Sequence, residues 1–346
     1  MTLDPDGKGP GIPLVELRGV TRTYTVPGGE VKAVDNVSLA VGEGEVLCLV
    51  GESGCGKTTT GKMMSGLVRP TSGQLLFRGR DVWRSRGPHL AEFRRSVQIV
   101  HQDPYASLNP VRTVYQTLSA PLLRHRFACD RAQAVSKVIE LLRVVELTPP
   151  EDFLGKYPHQ LSGGQRQRVS IARALTVQPR FIIADEAVSM VDVSIRVSLL
   201  NVLLRLREQF GMSFLLITHD LAVARYFARQ GQIGVMYLGR IVELAPCEQL
   251  IADPAHPYTA ALISAIPEAD PQVTRRKERV ALRSAEIPSL LHLPSGCAFH
   301  PRCPVFQPGL CEAYTPPLEA IPTNRQVACH VAMRERTGRA PLLQVA

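Results

Sequence analysis

Residues 51–58 read GESGCGKT, the form G-x-x-x-x-G-K-[ST] of a loop built to hold phosphate. Gly51, Gly54 and Gly56 let backbone N–H groups approach an anion with no Cβ in the way. Ser53, Cys55 and Thr59 complete the stretch. Lys57 would neutralise the β- and γ-phosphates of a nucleotide, and the Thr58 hydroxyl would ligate Mg²⁺. A chance glycine loop rarely fills every one of these positions.

A second set of polar residues sits at the ends of apolar runs. Asp185 and Glu186 follow FIIA, and an acid at the carboxyl end of a central strand stands where open α/β sheets bind ligands. Asp185 would hold the magnesium and Glu186 would polarise an attacking water as general base. An acidic pair after a strand is by itself an ordinary solvated loop, and only the phosphate loop upstream changes that. Gln102 in VHQD and His219 in ITHD also follow strand-like runs. Gln102 would reach Mg²⁺ or the water, and His219 the γ-phosphate. Alone, each would more often be structural. Tyr24 would stack on adenine, although an aromatic on a strand is more often core. Leu161, Ser162, Gly163, Gly164 and Gln165 read LSGGQ before a helical pattern. This is an anion site at a helix N-terminus or a plain serine cap with two glycines.

The chain has eight cysteines. Cys48, Cys55, Cys129 and Cys247 are isolated. Cys55, at a helix N-terminus, is expected to have a lowered thiol pKa and to be alkylated in competition with nucleotide. Cys297, Cys303, Cys311 and Cys329 are separated by 5, 7 and 17 residues. Thiolates suit zinc or an iron–sulfur cluster. Structural zinc usually has closer cysteine pairs, while His300 and His330 keep zinc open. Reduced thiols packed as small apolar side chains are the remaining alternative.

These residues need a scaffold, and the apolar pattern supplies one. Val15–Thr25 and Val31–Val41 alternate as strands. Val46–Val50 is a buried strand leading into the phosphate loop, and a helix follows over Lys57–Leu67. Gln74–Phe77 and Val97–His101 read as strands, and Arg131–Val145 as a helix within an inserted helical region, 103–160. RQRVSIARAL is helical. Phe181–Ala184, Ser194–Phe210, Phe214–Thr218 and Leu221–Gln230 then alternate strand and helix, which calls for a largely parallel sheet covered by helices. Beyond 250 proline becomes frequent and periodicity fades. The expected organisation is a polar lead over 1–12, a nucleotide-binding α/β domain over 13–250 and a cysteine-containing extension over 251–346. No apolar run approaches the ~20 residues of a membrane span, and the polar N-terminus lacks a signal peptide's apolar core, so a cytoplasmic protein is expected. The net charge of +9 is spread along the chain apart from a run at Arg275–Arg279, and it names no partner.

From about Val15 to Leu250 the chain resembles the ATP-binding subunits of ATP-binding-cassette (ABC) transporters. The order Tyr24, Gly51–Thr58, Gln102, Leu161–Gln165, Asp185-Glu186, Asp192, His219 carries the resemblance. GESGCGKTT, QDPYASLNP, HPYTAAL and PSGCAFHPRCP resemble the oligopeptide/dipeptide branch. The resemblance implies an ABC-type P-loop fold with an inserted helical subdomain. It implies ATP and Mg²⁺, held by Thr58, Gln102 and Asp185, and a signature loop that closes on the ATP of a partner subunit, with Asp192 in a dimer-interface loop. It implies a second cassette that is a different chain, two permease subunits, an extracytoplasmic solute-binding protein acting indirectly, and a peripheral place on the cytoplasmic face of the membrane. No nucleic-acid partner is expected. The four clustered cysteines resemble a [4Fe–4S] site of some peptide-transporter ATPases.

One stretch departs from the family. Resembling chains follow Asp-Glu with Pro-Thr or Pro-Val and then Ser-Ala-Leu-Asp, whereas here Ala187, Val188, Ser189, Met190 and Val191 precede Asp192. The expected function is ATP hydrolysis that powers import of oligopeptides or dipeptides. Import of another solute (a sugar, a metal complex or an opine), a soluble ABC ATPase acting on nucleic acid or ribosomes, and a redox-sensing regulator are the alternatives.

Overall fold

The computed structural model describes residues 11–189, 191–266, 279–338 and 344–345. The lead expected over 1–12 lies outside these apart from residues 11 and 12, and so does the basic run at 275–279 apart from Arg279. The described chain forms two compact units. One takes residues up to 40, 46–79 and 218 onwards; the other takes 41–45 and 80–217.

The first unit opens with β1 (Val15–Val26), β2 (Gly29–Val41), β3 (Val46–Val50), α1 (Lys57–Met64) and β4 (Ser72–Phe77). In β2, Val37, Leu39 and Val41 point inward while Ser38 and Ala40 are exposed, the period-2 pattern of a sheet wet on one face. All five residues of β3 are buried, as suits a parallel strand covered on both sides. Helix α1 stops at Met64, short of the expected Leu67. Gly66 takes φ 71° and Leu67 N–H returns to the Lys62 carbonyl at 2.9 Å, a left-handed stop that precedes Pro70.

The chain then builds the second unit: β5 (Arg80–Asp81), α2 (Pro88–Ser96), β6 (Val97–Val100), α3 (Pro104–Ser107), α4 (Val114–Arg124), α5 (Arg131–Val144), α6 (Glu151–Leu154), α7 (Gly163–Leu175), β7 (Phe181–Asp185), α8 (Val193–Phe210) and β8 (Ser213–Thr218). Strands β6, β7 and β8 are parallel neighbours, with Ile99 opposite Ile183 and Ile183 opposite Leu215. Thr113 opens α4 with a reciprocal capping box to Gln116, and Asp130 caps α5 through Gln133 N–H. In α5, Ala134, Val138 and Leu142 are buried at four-residue spacing, one stripe of a helix against its neighbours.

The first unit resumes with α9 (Leu221–Phe227), β9 (Gln232–Tyr237), β10 (Arg240–Pro246), α10 (Cys247–Ala252), α11 (Pro257–Ser264), β11 (Tyr314–Thr315), β12 (Glu319–Ile321), β13 (Arg325–Val327), α12 (His330–Thr337) and β14 (Gln344–Val345). Its larger sheet runs β12-β13-β10-β9-β3. The β9–β10 hairpin turns on Leu238 and Gly239, at φ 42° and 84°, the two positive values a two-residue type I′ turn requires. The extension does not simply trail away after 250. It returns to lay β13 antiparallel on β10, with Glu243 opposite Val327.

Glu243, fully buried, anchors that return. Its carboxylate accepts N–H bonds from Ala255 and His256, each at 2.8 Å, and pairs with Arg325 at 3.4 Å. Near it, Arg336 and then Arg325 hold the Asp253 carboxyl well below its usual range. His256 is buried, and its Nδ1 accepts the Tyr258 N–H at 3.0 Å, capping α11. Burial lowers the His256 pKa from 6.5 to about 3. A depressed histidine pKa means the unfolded chain binds the extra proton first, so this stability is complete above the unfolded pKa and is lost as pH falls toward the folded one. We expect His256 to cost the fold about 2 kcal/mol between pH 8 and pH 5. Chemical denaturation of His256→Asn, which keeps a capping side chain, should show a shallower pH slope than the native chain over that window. An identical slope would show that the imidazole is not buried neutral.

Candidate ATP-binding and catalytic site

The residues singled out in the sequence divide between the two units. In the first, the phosphate loop leaves β3 and enters α1 with Gly56 at the N-cap, in a left-handed conformation at φ 107°. A Cβ at Gly51 would lie 2.2 Å from the Met236 carbonyl oxygen, and one at Gly56 would lie 2.1 Å from that of Ala33. Both glycines are therefore fixed by close backbone approach as well as by the loop's own curve. The Lys57 side chain is buried. Its ammonium donates to the carbonyls of Gly51 at 2.7 Å and Glu52 at 2.8 Å. Ser53, Gly54 and Thr58 are exposed, and Thr59 is half-buried.

The remaining residues in this unit are less committed. Tyr24 lies half-buried on β1, with the Arg22 guanidinium 4.6 Å from its ring centre. His219 is exposed just past β8. The next residue, Asp220, caps α9 through the N–H groups of Ala222 and Val223.

Cys55 corrects an expectation. It is buried, and burial raises its thiol pKa, outweighing the opposing pull of Lys57. The helix start predicted an activated thiol; desolvation makes it an inert one.

In the second unit the acids stand at the end of β7. Asp185 is buried. Glu186 follows at φ 46°, a left-handed backbone that non-glycine residues seldom adopt and that concentrates at functional sites. Its N–H donates to the Ile217 carbonyl at 3.0 Å. Gln102 Nε2 donates to Glu186 Oε2 at 3.0 Å, so two residues 84 apart in sequence meet. Ser189 closes the following turn: its N–H and its hydroxyl donate to the Glu186 carbonyl at 3.0 and 2.8 Å. Ala187 and Val188, within the departing stretch, are buried, while Met190 lies outside the described residues. Asp192 is exposed at the start of α8.

Of the two readings of the LSGGQ segment, the structure shows the serine cap. Ser162 caps α7 and shares a capping box with Gln165: Gln165 N–H to Ser162 Oγ at 3.3 Å, and Ser162 N–H to Gln165 Oε1 at 3.0 Å. Leu161 is buried. A Cβ at Gly164 would strike Ile195 Cγ2 at 2.6 Å, whereas one at Gly163 would meet nothing within 4 Å.

The four cysteines of the extension influence one another. Cys303, Cys311 and Cys329 are buried and Cys297 half-buried. Burial, reinforced by the other three thiols, pushes Cys297 up to about 12. Burial, with Cys329 and Cys311, pushes Cys303 up to about 11. Backbone N–H groups oppose this: Phe299 at Cys297, Val305 at Cys303, Ala332 and Val331 at Cys329. Gln307 N–H lies 3.5 Å from Cys311 Sγ. Among the described residues, no group of three or more His, Cys, Asp or Glu side chains is placed to hold a metal ion. Neither the iron–sulfur expectation nor the zinc alternative finds a metal-holding group here.

Comparison with known proteins decides the family. The ABC transporter family matches residues 34–189, and the oligopeptide/dipeptide transporter C-terminal region matches 242–311. The chain is 45% identical over 326 residues to a probable peptide ABC transporter ATP-binding protein of Sinorhizobium fredii, covering 92% of this chain and 90% of the relative. It is 43% identical over 326 residues to the oligopeptide transport ATP-binding protein AppF of Bacillus subtilis, covering 92% and 97%. The chain is an ATP-binding subunit of the oligopeptide/dipeptide ABC transporter family. Among solved structures, the dimeric ATP-binding cassette MJ0796 in a post-hydrolysis state with ADP and Pi is similar at a TM-score of 0.61 and 31% identity, covering 67% of this chain and 98% of that one. This ABC subunit is an ATPase, and among its described residues no helix is long and apolar enough to cross a membrane.

Glu52 is a free position of the loop motif, yet Lys57 rests partly on its carbonyl. Nothing local in the loop's pattern marks that contact. The burial of Cys55 makes a direct prediction. In the native subunit N-ethylmaleimide should modify exposed Cys129 and spare Cys55 until denaturant is added, as mapped by peptide mass. Labelling of both at equal rates would show that burial does not govern Cys55.

Proposed function

We propose that this subunit powers the import of oligopeptides or dipeptides by closing on a second cassette around ATP. The observation that carries the catalytic part is the Gln102–Glu186 hydrogen bond at the end of β7. It holds a carboxylate on a strained backbone where a water-activating base belongs. Peptide import is supported by the match of the C-terminal region and by what the relatives are named.

The proposed roles follow from chemistry. The loop amides of Gly51–Thr59 and the Lys57 ammonium bind the phosphates, with Lys57 exchanging loop carbonyls for phosphate oxygens. Tyr24 offers a face to adenine. The donors read for magnesium are the Thr58 hydroxyl, the Asp185 carboxylate and the Gln102 carbonyl oxygen. They are all hard oxygens and fit that ion; when bound, it neutralises charge on the transferring phosphoryl group. Glu186 takes the proton of the attacking water, and His219 hydrogen-bonds the γ-phosphate.

Gly163 is open where Gly164 is packed. That free space, beside N–H groups at the start of α7, supports the approach of another subunit's nucleotide to Leu161–Gln165, with Asp192 in the same interface. Two permeases and an extracytoplasmic binding protein complete the proposed importer, with the subunit peripheral on the cytoplasmic face and its partner cassette a different chain. For Cys297, Cys303, Cys311 and Cys329 the iron–sulfur reading rests on the resemblance of this segment to that transporter branch, and on no metal-holding group among the described residues.

Three outcomes test this. Glu186→Gln should retain ATP while hydrolysis falls about 10²- to 10⁴-fold; native turnover in that variant removes Glu186 as the base. Affinity purification from gently solubilised membranes should retain two polytopic permeases and a second cassette, whereas recovery of ribosomes or nucleic acid without membrane protein would overturn the transporter reading. Anaerobic purification should yield iron and acid-labile sulfide; a colourless, iron-free protein would leave the four cysteines as packing thiols.

A further inference from the structure

Glu52, the second residue of the phosphate loop, has all three of its polar groups engaged. Its carbonyl accepts the Lys57 ammonium at 2.8 Å. Its N–H donates to the Tyr258 hydroxyl at 3.0 Å. Its carboxylate receives Arg302 in a two-pronged pair, Nη1 to Oε2 at 3.0 Å and Nη2 to Oε1 at 3.1 Å. Two of these three partners, Tyr258 and Arg302, come from the C-terminal extension.

Arg302 is itself closely placed. Its side chain is 6% exposed, and it sits in the turn that joins Cys297 to Cys303. Within that turn His300 N–H donates to the Cys297 carbonyl at 2.9 Å, and Arg302 N–H to the Phe299 carbonyl at 3.0 Å. Phe299 packs edge-on against Tyr237 with ring centres 5.3 Å apart, and the Tyr237 hydroxyl accepts from Arg302 Nη1 at 3.5 Å. A paired guanidinium and carboxylate fix orientation as well as distance. At a site this buried, removing one partner leaves a charge without its counterion.

We infer that Arg302 is a positioning residue for the ATPase reaction: by fixing Glu52 it sets the reach of Lys57, so the cysteine-bearing turn bears directly on phosphate binding. The carbonyl that Lys57 leaves and the carboxylate that Arg302 grips belong to one residue, so a shift of the turn is a shift of the lysine's resting place. This inference rests on the reading of Lys57 as a phosphate ligand.

The test uses the full-length subunit, with binding of trinitrophenyl-ATP and its displacement by ATP or adenosine. Arg302→Met should weaken ATP about tenfold, since small misplacements of a positioning contact have effects of that order or larger, and should leave adenosine unchanged. Arg302→Lys should recover part of the loss, because lysine restores charge without the two-pronged geometry. Glu52→Gln, at the more exposed end of the pair, should reproduce the loss. The Glu52→Gln/Arg302→Met double variant should be no worse than the poorer single variant. A general loss of stability would show neither the lysine recovery nor the adenosine control, and melting curves check it separately. Native ATP affinity in folded Arg302→Met, or losses that multiply in the double variant, would overturn the inference. Lys57→Ala is the control for its premise: native ATP affinity there would defeat the phosphate-ligand reading itself, whatever Arg302 does.

Discussion

The first unit is organised around the buried ammonium group of Lys57. Lys57 cannot lie 4% exposed without acceptors, and the loop provides them from its own carbonyls, Gly51 and Glu52. That arrangement demands a tightly curved backbone against β9 and β2, which only glycine permits at Gly51 and Gly56. The hairpin turn after β9 contributes as well: Gly239 N–H donates to the Cys55 carbonyl at 2.9 Å, and its own carbonyl accepts the Asp35 N–H at 2.9 Å. The loop is thus preorganised by its neighbours before any nucleotide arrives. A preorganised set of dipoles needs little rearrangement as charge develops.

The second unit answers a different constraint, that of holding an acid ready at a strand end. Buried β7 delivers Asp185 inward and then breaks direction at Glu186, whose positive φ ends the strand. Gln102 from the end of β6 and Ser189 from the next turn fix its side chain and its carbonyl respectively. The departure from the family wording falls in this turn. Ala187 and Val188 are buried, beside the polar contacts that Gln102 and Ser189 make with Glu186.

Much of this was legible in the sequence, for physical reasons that also explain what was not. Short apolar runs such as VLCLV of β3, FIIA of β7 and FLLI of β8, too short for a helix, have few alternatives to a buried strand. Helix α5 was legible from its apolar spacing, though its Asp130 cap was not. The strands β12 and β13 did not, because each has three residues and takes its register from β10, far away in the chain. The motif residues were legible as types, but their partners were not: the Gln102–Glu186 and Glu52–Arg302 pairs join positions 84 and 250 residues apart. Cys55 was misread for the same reason, since a helix start is visible in sequence and burial is not.

The extension's hold on the rest of its unit follows from Glu243. A carboxylate at 0% exposure is tolerable only while the Ala255 and His256 N–H groups and Arg325 surround it, and all three belong to the chain beyond 250. If the extension detached, Glu243 on β10 would lose all three of these partners. From His256 the contact continues to Phe299 at 5.6 Å and from Phe299 to Tyr237 at 5.3 Å, and Tyr237 ends the strand whose turn braces the phosphate loop. The cysteine-bearing turn meets the phosphate loop through packed rings and the Arg302–Glu52 pair.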